Sequence, residues 1–144
     1  MVGVEIDMVV TDSLKALELY QTIFDIETVE ASDFSRGENE VLFTLYDVPF
    51  HLLDENPAFH LTAPTPDDPK TLWFNITVPD IEPTYEKAIN AGCSEIQPVT
   101  NLPDHGVSNA IFMDPFGYIW MLHQVYEEVS FEERKRLREE KRAN

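Results

Sequence analysis

Hydrophobic and polar positions along the chain change period in a regular order. Val2–Val10 alternates as a strand does. Asp12 and Ser13 then offer N-cap side chains to Leu14–Phe24, where Leu17, Tyr20, Ile23 and Phe24 fall on one helical stripe. Three short strands are expected next, at Glu27–Ala31, Val41–Tyr46 and Pro49–Leu53. Residues 56–70 carry Pro57, Pro64, Pro66 and Pro69 and read as a linker. The order then restarts. Leu72–Val78 is a strand, and Asp80 opens a helix with Pro83 in its first turn, Tyr85, Ala88 and Ile89 on one face and Gly92 at its end. Strands follow at Glu95–Pro98, Val107–Met113 and Tyr118–Val125. The last two are joined by Asp114-Pro115-Phe116-Gly117, whose residue types suit a type I turn.

The pattern is βαβββ written twice, in modules 2–55 and 71–125 of a single domain spanning 1–144. One constant offset pairs Glu5 with Trp73, Val10 with Val78 and Asp12 with Asp80. Element order, caps and helix lengths agree together, which favours an internal duplication. Ser130-Phe131-Glu132-Glu133 is a capping box for a last helix over 130–142, in which Glu132 is spaced to pair with Arg136. Phe131 and Leu137 are its only large apolar residues, so it reads as a solvated appendage.

Composition supports a folded domain, since 43% of the 144 residues are apolar and 11% aromatic. Charge changes the picture more. There are 27 acids against 10 bases, a net −17. From Glu127 onward acids and bases balance, so the excess lies in the part whose only bases are Lys15, Arg36, Lys70 and Lys87. Such a body repels phosphate backbones and anionic lipid, and neither nucleic acid nor a membrane is expected as partner. The one cysteine, Cys93, has no partner for an internal disulfide, and the first residues are acidic where a signal peptide is basic. No apolar run is long enough to span a bilayer. These features lead us to expect a cytoplasmic protein.

The repeated βαβββ order and the Asp114-Pro-Phe-Gly-Tyr-Ile-Trp120 stretch resemble the vicinal oxygen chelate superfamily, which contains glyoxalases, bleomycin-resistance proteins and extradiol dioxygenases. Within it, a D-P-F-G-x-x-W stretch near the end is similar to PhnB-like proteins. The resemblance implies an α+β fold in which two modules form curved mixed sheets around an open-barrel pocket, plus the C-terminal helix. It also implies a homodimer, an expectation to which the apolar Phe59 and Leu61 in the linker contribute.

Metal-dependent members of that superfamily use a His or Gln early in the first module's first strand, a His early in the second module's first strand and a Glu in each closing strand. Carried over position by position, these fall on Glu5, on Leu52 or Leu53, on Trp73 and on Met121. Glu5 can hold a metal, whereas Trp73, Met121 and leucine cannot, so no metal or other cofactor is expected. Of the histidines, His123 shares a strand face with Met121, and Asp54 or His51 could contribute to an acid–base arrangement. A single pocket histidine hydrogen-bonded to a neighbour explains the same pattern. Cys93 reads as a small buried apolar residue rather than a nucleophile.

By strand parity Glu5, Asp7, Trp73, Asn75, Met121 and His123 are expected to line one pocket for a small apolar or aromatic ligand. Glu5 and His123 are the candidates for any catalysis. The alternative is a metal-dependent lyase, isomerase or dioxygenase whose rearranged site uses Glu5 and a histidine.

Overall fold

In the computed structural model, which describes residues 2–143, the first alternating segment forms strand β1 (Ile6–Val10). It starts later than the alternation predicts; the ladder with its parallel partner, β4 (Val48–Asp54), runs from Ile6↔Phe50 to Val10↔Asp54. Helix α1 (Ser13–Ile23) is capped as expected, with Asp12 accepting from the Lys15 N–H at 3.1 Å. Strands β2 (Ile26–Ala31) and β3 (Glu40–Leu45) complete a sheet of order β1-β4-β3-β2.

Between β3 and β4 the whole turn is Tyr46-Asp47, both at positive φ (48° and 66°), the two-residue hairpin that matches strand twist. Asp47→Gly removes left-handed strain and should raise stability by up to about 1 kcal/mol. A higher urea midpoint at unchanged slope would show it.

The second module repeats the topology. It comprises β5 (Phe74–Thr77), α2 (Ile81–Asn90), β6 (Ser94–Leu102), β7 (Val107–Met113) and β8 (Ile119–Val125), in sheet order β5-β8-β7-β6. Three local expectations need correction. Asp80 stands at the N-cap of α2 but makes no side-chain cap bond; Gln124 on β8 accepts from the Ile81 N–H instead, at 2.9 Å. Strand β6 runs past Pro98 because register shifts at Glu95/Gln97 and Gln97/Thr100 absorb the residue that cannot donate. Strand β5 begins at Phe74, which leaves Trp73 just outside the ladder.

One face of each sheet packs on the helices, and the two modules share a continuous core. Its centre is Trp120, fully buried, with ring centroids 5.2 Å from Tyr20, 5.2 Å from Phe24 and 4.8 Å from Phe74. The Asp-Pro-Phe-Gly turn is the polar anchor of this junction. One Asp114 oxygen accepts from the Phe116 and Tyr118 N–H groups; the other accepts from Trp120 Nε1 (2.8 Å) and from the Tyr20 hydroxyl (2.6 Å) of the first module. Tyr118 adds a second cross-module bond, its hydroxyl donating to the Val9 carbonyl at 2.8 Å. Burial, followed by the charge of Asp114, pushes the Cys93 thiol up to about 12, so this cysteine is an inert core residue.

The linker is packed rather than free at Pro64, whose carbonyl lies where a Cβ on Gly117 (φ +93°) would come within 3.0 Å. A last helix, α3 (Phe131–Ala143), starts at Ser130, whose Oγ accepts from the Glu133 N–H at 3.1 Å. Arg136 pairs with Glu133 and Glu140 rather than with Glu132. The remaining faces of both sheets are open and no closed barrel forms. No described helix is long and apolar enough to cross a membrane.

Candidate functional site

The open face of the first sheet is acidic. Parity sends Met8, Val10, Phe50 and Leu52 into the core, so Asp7 and His51, which are ladder partners, point the other way. Glu5 joins them just ahead of β1. The His51 Nδ1 lies 3.2 Å from Glu5 Oε1 and 3.7 Å from Asp7 Oδ1, and its Nε2 is 3.4 Å from Glu40 Oε2. Ligand atoms of Glu5, Asp7 and His51 all lie within 4.8 Å of one another. The Glu5 carboxyl is held above its ordinary value, first by its hydrogen bond with Asp7, then by desolvation and the Asp7 charge, against the pull of His51.

The open face of the second sheet is different in kind. Asn75 pairs with Met121 and Thr77 with His123 across the parallel β5–β8 ladder. The His123 Nδ1 lies 2.5 Å from Asn75 Oδ1. An amide oxygen only accepts, so Nδ1 carries the proton and Nε2 presents its lone pair outward. Desolvation lowers the His123 pKa and keeps the ring neutral near pH 7. A ligand donor bonded to Nε2 should therefore be held at neutral pH and released as pH falls through that lowered value; an imidazole NMR titration checks both the tautomer and the direction.

Met121 and His123 line an open cleft of ≈ 810 Å³ with Val107, Asn109 and Val125, bordered also by Glu127, Glu128 and Arg134. Trp73 and Asn75 line a neighbouring groove of ≈ 590 Å³ at the module junction, together with Tyr46, Val48 and Leu72.

The six residues expected in one pocket thus divide within the chain. Glu5 and Asp7 sit on the first sheet with His51, whereas Trp73, Asn75, Met121 and His123 sit along the second. Asp54 is not available to His123. It is 2% exposed, and its two oxygens accept from the Ser13, Gly37 and Asn39 N–H groups at 2.7, 2.8 and 3.0 Å.

The chain matches the Glyoxalase/Bleomycin resistance protein/Dioxygenase superfamily over residues 4–122 and belongs to it. Similar solved structures include the fosfomycin resistance protein FosX of Listeria monocytogenes, crystallised with Mn(II) and sulfate. It is 17% identical, with a TM-score of 0.68 over 95% of this chain and 98% of that one. The PhnB protein of Bacillus cereus is 18% identical, with a TM-score of 0.63 over 86% and 100% of the two chains. TioX of Micromonospora is 14% identical, with a TM-score of 0.64 over 86% and 98%. No curated protein matches the sequence.

The paired ladders change the register in which the ligand positions implied by the resemblance are carried over. Asp7 faces His51 just as Asn75 faces Met121, so His51 is the first-module counterpart of Met121, as Glu5 is of Trp73. The expected position at Leu52 or Leu53 is corrected to His51: Leu52 is fully buried in the core, and Leu53 pairs with Val9. The slip has a simple cause. The opening strands of the two modules lie 68 residues apart (Asp7 to Asn75) and the closing strands 70 (His51 to Met121), so they do not share one offset. The four positions hold Glu5, His51, Trp73 and Met121. Two are donors and two are not, and the residues do not fit the four-ligand site.

Proposed function

We propose that the protein binds a small molecule with an apolar or aromatic portion along the open face of the second sheet, from Trp73 across Asn75 and Met121 to His123, without the superfamily's four-ligand metal chemistry. The observation that carries this reading is the pair of side chains at the second module's ligand positions. An indole and a thioether there supply contact surface for an apolar body and no metal coordination. The Asn75–His123 pair orients the ligand through hydrogen bonds. On this reading the protein stands on the binding side of the superfamily, in the neighbourhood of PhnB, and works as a cytoplasmic homodimer. A second copy would cover the exposed Tyr46, Val48 and Leu72; light scattering should return twice the 16.6 kDa chain mass.

The neutral fluorescent dye N-phenylnaphthylamine tests the ligand site. We expect saturable binding that weakens about tenfold in Met121→Gln and in Trp73→Ala, the loss of one apolar anchor. Unsaturable binding, or binding indifferent to both changes, overturns the reading. Trp73→Ala should leave the fold intact, because Trp73 is 52% exposed while Trp120 holds the core.

A second reading has its own observation, the three donors gathered at Glu5, Asp7 and His51. One imidazole and two carboxylates suit a divalent cation, which when bound would polarise an oxygenated substrate. FosX of Listeria is an example of a structural relative that holds Mn(II).

A further inference from the structure

Helix α3 carries its charges on opposite sides. Phe131, Arg134, Lys135, Arg138, Lys141 and Arg142 recur at three- and four-residue spacings, the positions where a helix docked on a protein body usually places apolar side chains. This stripe faces the 3₁₀ turn Pro103–His105 and, with Asp104 and His105, lines a groove of ≈ 410 Å³. The acids Glu133 and Glu140 lie on the other side, where they hold Arg136.

Opposite the cationic stripe the body places Asp104, and where the groove meets the cleft Glu127 and Glu128. Lys141 pairs with Asp104; among the described residues Arg134, Lys135, Arg138 and Arg142 make no ion pair, in a chain with 27 acids. Arg134 packs instead beside the Phe131 ring, its guanidinium carbon 5.8 Å from the centroid. The basic groove is also continuous with the ligand cleft. His105 and Arg134 line both, and the cleft runs on from them to Val107, Met121 and His123.

We infer that the ligand of this cleft is an amphipathic anion, its apolar body over Met121, Val107 and Val125 and its carboxylate, phosphate-type or sulfonate group held by Arg134 and Arg138 of α3. This rests on the binding function proposed above and narrows its ligand class. Guanidinium groups suit the role because their planar fork donates two parallel hydrogen bonds to an oxyanion. The strongly negative body elsewhere makes the basic groove the local exception that admits an anion.

Two dyes of one skeleton test it: N-phenylnaphthylamine, which is neutral, and anilinonaphthalene sulfonate, which adds the anion. The sulfonate should bind the wild-type chain about tenfold more tightly than the neutral dye, the worth of one charge-assisted contact at a partly exposed site. That advantage should shrink with added salt and disappear in the Arg134→Gln/Arg138→Gln double variant. Arg136→Gln, on the opposite side of the helix, should keep it. Equal affinity for the two dyes, or an advantage that survives the double variant, overturns the inference while Met121-dependent binding of the neutral dye leaves the underlying reading standing. If neither dye depends on Met121, that reading falls and this inference with it.

Discussion

Asp114→Ala should lower the unfolding free energy by about 3–5 kcal/mol, because it strands the Tyr20 hydroxyl and the Trp120 indole N–H inside the core and frees the Phe116 and Tyr118 amides of the turn. Asp114→Asn should cost less than the alanine change but still destabilise. Its amide oxygen keeps one pair of hydrogen bonds and no charge is buried, while its NH2 now meets donors where the second oxygen accepted. The pH dependence separates the two roles. Burial raises the Asp114 carboxyl above its ordinary value, despite hydrogen bonds from Tyr20, Trp120, Tyr118 and Phe116. A raised folded pKa means the folded state holds its proton longer than the unfolded one. The contribution from this group is therefore greatest below the ordinary 3.8 and is lost as pH rises through the folded value. Urea unfolding of wild type, Asp114→Asn and Asp114→Ala across that range measures all three effects.

The second large effect belongs to Asp54, and its sign is opposite. Burial acts to raise this carboxyl, but hydrogen bonds from Ser13, Gly37 and Asn39 outweigh it and the net shift is downward. Its stabilisation is present above the ordinary 3.8 and lost as pH falls through the lower folded value. Asp54→Ala should cost about 2–4 kcal/mol at neutral pH, since it uncaps the first residue of α1 and releases the loop at Gly37 and Asn39. The variant should also lose part of the acid sensitivity of the wild type. Thermal melts at neutral and acidic pH test both statements.

Much of the fold was legible because its signals are local. Alternation marked the strands, Asp12 and Ser130 marked helix starts, and Asp114-Pro-Phe-Gly marked a turn. What escaped depends on partners distant in the chain. Nothing near Asp80 announces that Gln124 caps α2, and nothing near Asp54 announces that it binds Ser13 and Asn39. The position at His51 is displaced because the closing strands of the two modules lie two residues further apart than the opening strands, a difference that only the ladders display. The basic stripe of α3 was written in its three- and four-residue spacing. Lacking apolar residues it reads as solvated, and only the structure shows the turn and groove it faces.

The central claim is that Trp73 and Met121 have converted a metal site into a contact surface for a ligand. Metal analysis of protein purified without chelator, followed by calorimetric titration of Mn(II), Zn(II) and Ni(II) into chelator-washed protein, tests it most directly. The account predicts substoichiometric metal in the purified protein and no saturable binding of the three ions at micromolar concentration. One equivalent of metal per chain, lost on Glu5→Gln or His51→Ala, would contradict it and establish the three-donor cluster of Glu5, Asp7 and His51 as the working site.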